Sequence, residues 1–345
     1  MKNTRYIIPC LASALLLAGC EKQIQIDLED LEQQVVVRAE NEAGSPIAMR
    51  LSLSRPAFGS FYVYNDEDYF PTVTDATVTL TVNGTSTETA TRDGSTYTLA
   101  HTPQPGEVLK LNISVPGRDE VTATDTVPLR PSITDIDTSS AIGDGYFDVM
   151  QNMNIDFTLN DDASVSNYYS IRLREVDTII TTYCDNNGNI VSQDTSMDEF
   201  YCWFECTDYL LVNNTDIDID IEDPTVSSTY SGTAMYFTDA TINGQSHRIR
   251  IKPRQYSWGY GYYDYEDYYP SDITANVTLY LEVSALTRDL YLYRQTMNSY
   301  SDDELLGFFS EPVQVHSNIS GGIGIFGVSS TTVKQIPLRP FSIYK

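Results

Sequence analysis

The chain has 345 residues, with 48 acidic and 21 basic side chains and a formal net charge of −27. This balance argues against a nucleic-acid-binding protein, because phosphate binding requires clustered cations, and it argues against a polybasic membrane-binding patch. Hydrophobic residues make up 41% of the chain, which is enough to bury a core and argues against a disordered acidic tail.

The first twenty residues predict a lipoprotein signal. The apolar run Tyr6–Leu17 follows two basic residues and is too short to span a bilayer. Leu17–Cys20 resembles the lipobox of bacterial lipoproteins, in which the cysteine is acylated and becomes the mature N-terminus. We predict a signal peptide at residues 1–19, a lipid on Cys20 as the only membrane anchor, and an acidic tether at residues 20–32. The alternative is an ordinary secretory signal with an incidental cysteine.

Residues 33–130 predict an immunoglobulin- or transthyretin-like β-sandwich. Short runs rich in Val, Thr and Ile alternate with turn residues, and Asn83-Gly84 is a strong signal for a tight hairpin. About seven strands in this length suit two packed sheets. The predicted strands are Val35–Ala39, Met49–Leu53, Ala76–Val82, Ser86–Thr91, Ser95–Leu99, Val108–Val115 and Val121–Val127.

Residues 131–345 predict a larger antiparallel β domain with one or two short helices. Leu290, Tyr293 and Met297 recur at helical spacing, which predicts a helix near 287–298. The acidic residues after Ser301 are typical of the start of a second short turn. The predicted strands are Asn154–Leu159, Tyr168–Glu175, Thr178–Tyr183, Ile242–Ile251 and Asn276–Val283.

Three cysteines remain after the signal peptide and the lipidated residue are set aside. Cys202 and Cys206 share one face of a predicted strand about 13 Å apart, at ~3.3 Å per residue, which is too far for a direct bridge. In an oxidising compartment we therefore predict a disulfide between Cys184 and either Cys202 or Cys206, which would close the hairpin Asp185–Glu199. A zinc site is the alternative, but the three histidines lie far away in sequence.

The segment Tyr256–Pro270 has an unusual composition, in which tyrosines and a tryptophan alternate with glycines and acids. Tyr and Trp supply contact area at low entropic cost and are enriched in binding surfaces. We predict ligand or partner contacts there, and the alternative is a loop that covers the sandwich. The candidate residues are Tyr256, Trp258, Tyr260, Tyr262, Tyr263 and Tyr265.

No motif predicts catalysis or a cofactor. The chain contains no Gly-x-Ser-x-Gly elbow, no Walker loop and no His-Glu-x-x-His motif, so we assign no catalytic residue and no cofactor. Asp216–Glu222 places acids on one strand face, but their spacing of about 6.6 Å suits a solvated edge better than a Ca²⁺ site. Thr126 and Thr178, each in an Asp-Thr-Val/Ile triplet, resemble bacterial O-glycosylation acceptors.

Several motifs together resemble a widespread, functionally unassigned lipoprotein family of the Bacteroidetes type. The segment Asn318–Gly327 carries the resemblance. It begins with Asn-Ile, continues through a glycine-rich turn and ends with an aromatic residue followed by glycine. The lipobox, Ile24–Leu28, Cys202-Trp203 and the Leu286–Met297 helix follow in the family's order. The resemblance covers nearly the whole chain, and it implies an outer-membrane lipoprotein encoded beside TonB-dependent receptors. It assigns no catalytic residue.

These observations predict a non-enzymatic, lipid-anchored protein on the outer membrane that faces the cell exterior. We expect it to assist a TonB-dependent receptor in nutrient capture or uptake, with an unknown ligand. The alternatives are a structural or adhesive module that binds glycan or protein through the Tyr-rich segment, and a surface hydrolase.

Overall fold

A computed structural model of the chain describes residues 33–54, 71–139, 152–185, 187–212, 230–254, 272–303, 314–338 and 340–342. Apart from Gln33, these residues belong to one compact unit formed by Gln34–Ser54 and Tyr62–Lys345. The described chain is mainly β, as predicted.

Nineteen strands and two helices make up the described chain. The strands are β1 (Val35–Glu42), β2 (Ile47–Leu53), β3 (Thr77–Val82), β4 (Ser86–Thr89), β5 (Thr91–Asp93), β6 (Thr96–Leu99), β7 (Val108–Ser114), β8 (Val121–Thr126), β9 (Ser132–Thr138), β10 (Ile155–Asn160), β11 (Tyr168–Cys184), β12 (Ile190–Tyr201), β13 (Trp203–Cys206), β14 (Tyr230–Gly232), β15 (Ala234–Thr238), β16 (Ser246–Arg254), β17 (Asp272–Leu286), β18 (Ile323–Pro337) and β19 (Phe341–Ser342). The helices are α1 (Tyr209–Val212) and α2 (Arg288–Asp303).

The strands form three sheets. The largest has ten strands in the order β12-β11-β17-β18-β1-β2-β6-β5, and β15 and β19 pair with β11 and β17 respectively. A five-stranded sheet has the order β14-β13-β16-β10-β9, and a four-stranded sheet has the order β4-β3-β7-β8. The β1–β18 pair is parallel and the other pairs of the large sheet are antiparallel.

The predicted N-terminal sandwich is present. Its core lies between the β1-β2-β6 part of the large sheet and the four-stranded sheet, and it contains alternate residues of each strand such as Leu80, Leu99 and Leu111. Asn83 and Gly84 adopt φ values of +51° and +69° between the paired strands β3 and β4. Two successive positive φ values are what the predicted tight hairpin requires.

A second core cluster takes residues from strands that include β10, β11, β13, β15, β16 and β17, and large side chains such as Phe157, Phe204 and Phe237 fill it. Strand β18 contributes to both halves of the large sheet. Its first half pairs with β1 from Ile323 to Ser329, and its second half pairs with β17 from Ser330 to Pro337. The division of the chain at residue 130 did not anticipate this return of the C-terminal part to the first sandwich.

Helix α2 begins where predicted but continues farther, to Asp303, so Ser301 extends it rather than starting a second turn. The hydroxyl of Thr287 accepts a hydrogen bond from the N–H of Leu290 at 3.4 Å, which caps the helix start. Leu290 and Tyr291 are buried with Ile325 of β18. No helix in the described part of the chain combines the length and apolar character needed to cross a bilayer.

Candidate interaction surface

The β11–β12 hairpin forms one end of the ten-stranded sheet, and local hydrogen bonds fix its turn. The Asp185 carboxylate accepts hydrogen bonds from the backbone N–H groups of Asn187 at 2.8 Å and Asn189 at 2.9 Å. The Asn189 side chain also donates to it, and these bonds hold the pKa of Asp185 below its usual range. Gly188 has a φ of +80°, which glycine adopts readily. The turn therefore sets the register in which β12 returns along β11.

Strand β12 is exposed along its whole length, although it pairs with β11 from Ser192 to Tyr201 and, after a register shift, at Ile190. Ile190, Val191 and Met197 have exposed fractions of 65%, 62% and 70%. Phe200 and Tyr201, at the other end of the strand, are also large exposed side chains. An apolar edge strand is a site where another chain is able to pair. Strand β12 thus offers both backbone and apolar side chains to a partner.

A cluster of charged and aromatic side chains lies beside β12 on one face of the large sheet. The Nε of Arg174 donates to Oε1 of Glu282 at 2.7 Å, and Nη2 of Arg172 lies 3.1 Å from the other carboxylate oxygen. The Arg172 guanidinium stacks over the ring of Tyr201 at 4.6 Å, and that of Arg174 stacks over Tyr280 at 4.4 Å. We call these five residues the outer-face cluster.

The outer-face cluster links β12 to its neighbour β11, and β11 to β17. Tyr201 comes from β12, the arginines come from β11, and Glu282 and Tyr280 come from β17. Glu199 of β12 adds a further link to β11, since its Oε1 lies 3.1 Å from Nη1 of Arg174. The hydrogen bond to Glu282 raises the pKa of Arg174, and burial raises the pKa of Tyr201. Cation–π and charge-assisted contacts of this kind fix side-chain geometry, so they tie the exposed edge strand to β11.

The predicted disulfide is not formed in the structure, where Cys202 and Cys206 are buried free thiols. The thiol of Cys202 donates to Oε2 of Glu175 at 3.1 Å, and its backbone N–H bonds to the carbonyl of Leu173. Cys184 lies eleven residues farther along the same strand as Leu173, which is roughly 36 Å at ~3.3 Å per residue. A disulfide cannot span this distance. The prediction failed because the hairpin is much longer than the loop that we expected a bridge to close.

Cys202 and Cys206 do share one buried face, as the two-residue period predicted. Burial raises the pKa of the Cys206 thiol to about 11. The pKa of Cys202 is also raised, by burial and then by the nearby carboxylates of Glu175 and Asp177. Both thiols are therefore held in the protonated, unreactive form.

The two candidate glycosylation threonines lie in regular strands. Thr126 is exposed at the end of β8, and Thr178 is half-buried within β11 between two neighbouring strands. The acid that precedes each threonine, Asp125 or Asp177, is buried. Both triplets are therefore integrated in the sheets, and their modification stays a prediction.

The three histidines lie apart, and each contacts a different carboxylate. The Nε2 atoms of His101, His247 and His316 lie 2.8, 2.5 and 2.9 Å from Glu107, Asp208 and Asp289, respectively. Within the described residues, no group of three His, Cys, Asp or Glu side chains is arranged to hold a metal ion.

The glycine-rich signature Asn318–Gly327 forms a close backbone crossing. The Asn318 side chain donates to the carbonyl of Phe326 at 2.8 Å and accepts from its N–H at 3.0 Å. A Cβ at Gly324, where φ is +111°, would lie 2.0 Å from the carbonyl oxygen of Val37 on β1. Only glycine permits this approach. These contacts give the signature a structural role in packing β18 against β1.

Two predicted sites, Cys20 and the aromatic candidates within Tyr256–Pro270, lie outside the described residues. The described chain resumes at Asp272, which pairs with Thr182 of β11, and Thr182 pairs in turn with Gln193 of β12. The chain that follows the Tyr-rich segment therefore enters the large sheet as β17, which β11 separates from the exposed edge strand β12.

The sequence did not identify the outer-face cluster or the exposed edge. Arg172 and Arg174 stand two residues apart, which in retrospect signals one face of a strand. Their partner Glu282 lies more than one hundred residues away in sequence, so no local pattern connected them.

Comparison with known families gives one extended match. A domain of unknown function, DUF4249, matches residues 21–335. The chain belongs to the DUF4249 family. This confirms the predicted membership of a functionally unassigned family over most of the chain. The comparison with curated proteins finds no match for this DUF4249 protein.

Two solved structures show weak similarity to the DUF4249 chain. One is a β-glucuronidase from glycoside hydrolase family 2, with 11% identity and a TM-score of 0.17, over 85% of this chain and 22% of that chain. The other is the β-glucuronidase of Bacteroides uniformis, with 8% identity and a TM-score of 0.17, over 64% of this chain and 30% of that chain. The chain spans less than a third of either enzyme, and similarity at this level supports no statement about activity.

Proposed function

We propose that this DUF4249 protein is a lipid-anchored protein of the outer-membrane surface that assists a TonB-dependent receptor in nutrient capture or uptake. In this proposal it binds rather than catalyses. The observation that carries the proposal is the lipobox-like Leu17–Cys20, which stands directly before the family match that begins at residue 21. The acyl chains on Cys20 would be the whole anchor, and multiple chains hold a protein stably on a membrane.

The receptor enters the proposal through the resemblance to lipoproteins that are encoded beside TonB-dependent receptors. A protein that works with a receptor needs a surface for a protein partner. The exposed strand β12, with Met197 and Tyr201 on one face and the outer-face cluster beside it, supports such a role. The net charge of −27 would favour partners or ligands with a positive surface.

The anchor is tested by comparing the natural chain with the Cys20→Ser variant in the native host. We expect the natural protein to fractionate with the outer membrane, to carry a diacylated N-terminal cysteine by mass spectrometry, and to be cleaved when protease is added to intact cells. Cys20→Ser should lose the acyl mass and the membrane association. An unacylated mature N-terminus in the natural protein would refute the anchor.

The receptor role is tested by affinity purification of a C-terminally tagged chain from solubilised outer membranes. We expect an outer-membrane receptor to co-purify in a stoichiometric amount, and deletion of the gene to slow growth on the nutrient that this receptor imports. A tagged, unrelated lipoprotein of the same membrane is the matched control. Normal growth on that nutrient and purification of the chain alone would refute the receptor role while leaving the anchor intact.

A further inference from the structure

The backbone of β12 pairs with β11 on one side, and no described strand pairs with its other side, which we call the open side. The N–H of Cys202 donates to the carbonyl of Leu173 at 2.7 Å, and the register continues from there without a shift as far as Tyr183. In an antiparallel ladder, hydrogen-bonded pairs alternate with pairs that direct their backbone groups away. The residues of β12 whose N–H and C=O groups point to the open side are therefore Gln193, Thr195, Met197, Glu199 and Tyr201.

The side chains of β12 define the chemistry that this edge accepts. Asp194 and Asp198 lie on one face of the strand with Phe200. Met197 lies on the other face with Glu199, whose carboxylate already pairs with Arg174. The strand contains no Lys, Arg or Pro, which are residues that commonly block edge pairing. An incoming strand that alternates basic and apolar residues would place its cations opposite the two aspartates and its apolar groups opposite Met197.

We propose that β12 binds an extended basic segment of a partner protein, which adds as a further strand to the ten-stranded sheet. This inference goes beyond the proposed function, because it names a surface and a partner chemistry that hold whichever protein supplies the segment. A second copy of the chain suits the edge less well. Pairing two β12 strands would bring together Asp194, Asp198 and Glu199 from each copy with no cation on either strand, and opposed like charges destabilise a strand pair.

The test uses the purified full-length protein and a fluorescent twelve-residue peptide in which Lys alternates with Val. Anisotropy titration at 100 mM salt should give saturable binding. A peptide of the same composition with its lysines and valines in two blocks should bind about tenfold more weakly, since it lacks the two-residue period. Equal binding of the two peptides would indicate general attraction to an acidic protein and would overturn the proposal.

The decisive variant is Thr195→Pro. Proline removes an N–H that points to the open side and leaves the ladder with β11 intact, so binding of the alternating peptide should weaken at least about tenfold. Thr195→Val changes the same side chain but keeps the N–H, and we expect its affinity to stay within about twofold of the natural protein. Circular dichroism and the thermal midpoint confirm that both variants fold. Unchanged affinity of Thr195→Pro would overturn strand addition.

Hydrogen–deuterium exchange of the natural protein keeps the proposal testable without any variant. The alternating peptide should slow exchange in the peptic fragments that cover Gln193–Tyr201, while β5, at the other end of the same sheet, should not change. Protection elsewhere with none in β12 would overturn the proposal. So would a dimer in the absence of peptide that Thr195→Pro converts to a monomer, because β12 would then be occupied by a second copy.

Discussion

Asp125 is a buried carboxylate at a junction of three elements, and its titration should make stability depend on pH. Its Oδ2 accepts hydrogen bonds from the N–H of Val328 on β18 at 2.9 Å and from the hydroxyl of Thr287, the cap of α2, at 3.3 Å. Burial raises the pKa of Asp125 to about 7, against the opposing effect of these hydrogen bonds, and the neighbouring Asp289 raises it further.

The direction of the pH effect on stability depends on how the pKa of Asp125 differs between the folded and unfolded states. The folded pKa of about 7 exceeds the ordinary aspartate value of 3.8, so the folded state binds the proton more tightly. The contribution of Asp125 is fully present below about pH 4 and is lost as the pH rises through 7. A difference of roughly three pKa units corresponds to about 4 kcal/mol, at 1.36 kcal/mol per unit. Other acids contribute to the total pH dependence, so the natural protein is compared with Asp125→Asn, whose side chain cannot ionise.

The assay is urea unfolding of the natural protein and the variant at pH 5, 6, 7 and 8. We expect the stability of the natural protein relative to Asp125→Asn to fall by about 1.4 kcal/mol per pH unit between pH 5 and 7 and to level off above that range. Asp137→Asn, which removes an exposed carboxylate of the same charge, controls for the change in net charge. Parallel pH profiles of Asp125→Asn and the natural protein would show that Asp125 does not cause this pH dependence.

Three further predictions concern the signature and the thiols. Gly324→Ala places a Cβ against a backbone oxygen and should lower the free energy of unfolding by at least about 3 kcal/mol. Gly94→Ala, at a positive φ in open space, should cost about 1 kcal/mol, and equal losses in urea titrations would contradict the steric account. Asn318→Ala removes two hydrogen bonds and should cost about 2–3 kcal/mol in the same assay. Cys202 and Cys206 should resist iodoacetamide in the folded protein, because burial raises the pKa of both thiols. Both should react with iodoacetamide in urea without reductant. If mass spectrometry finds either cysteine unmodified in urea, that cysteine is in a disulfide.

Local patterns in the sequence predicted much of the fold. Alternation of apolar residues with Thr located the strands of the first sandwich, and Asn83-Gly84 located a hairpin, because both signals depend on residues that are adjacent in the chain. Strand β11 was predicted in two pieces, Tyr168–Glu175 and Thr178–Tyr183. It runs through instead, since pairing on both sides with β12 and β17 carries it across Val176 and Asp177. Tertiary pairing here overrides the local break in the pattern.

The topology of the large sheet and the interaction surface could not be predicted in this way. The return of β18 to pair in parallel with β1 joins residues almost three hundred positions apart, and no period in the sequence encodes such a partner. The outer-face cluster also depends on pairing between strands that are distant in sequence. Arg174 and Glu282 meet only because β11 and β17 are neighbours in the correct register. An edge strand is defined by its position at the end of a sheet, and that position is a property of the whole fold.

The acids of β12 give a physical reason why an exposed edge persists in this chain. A long apolar edge invites pairing with any extended segment, including a second copy of the same strand. Asp194 and Asp198 oppose the second copy through like-charge repulsion and leave a basic segment favoured. Contacts of Tyr201 with Arg172 and of Glu199 with Arg174 tie the strand to β11, so less conformational entropy should be lost when a partner binds. The same side chains that hold β12 in place therefore also prepare it for a partner.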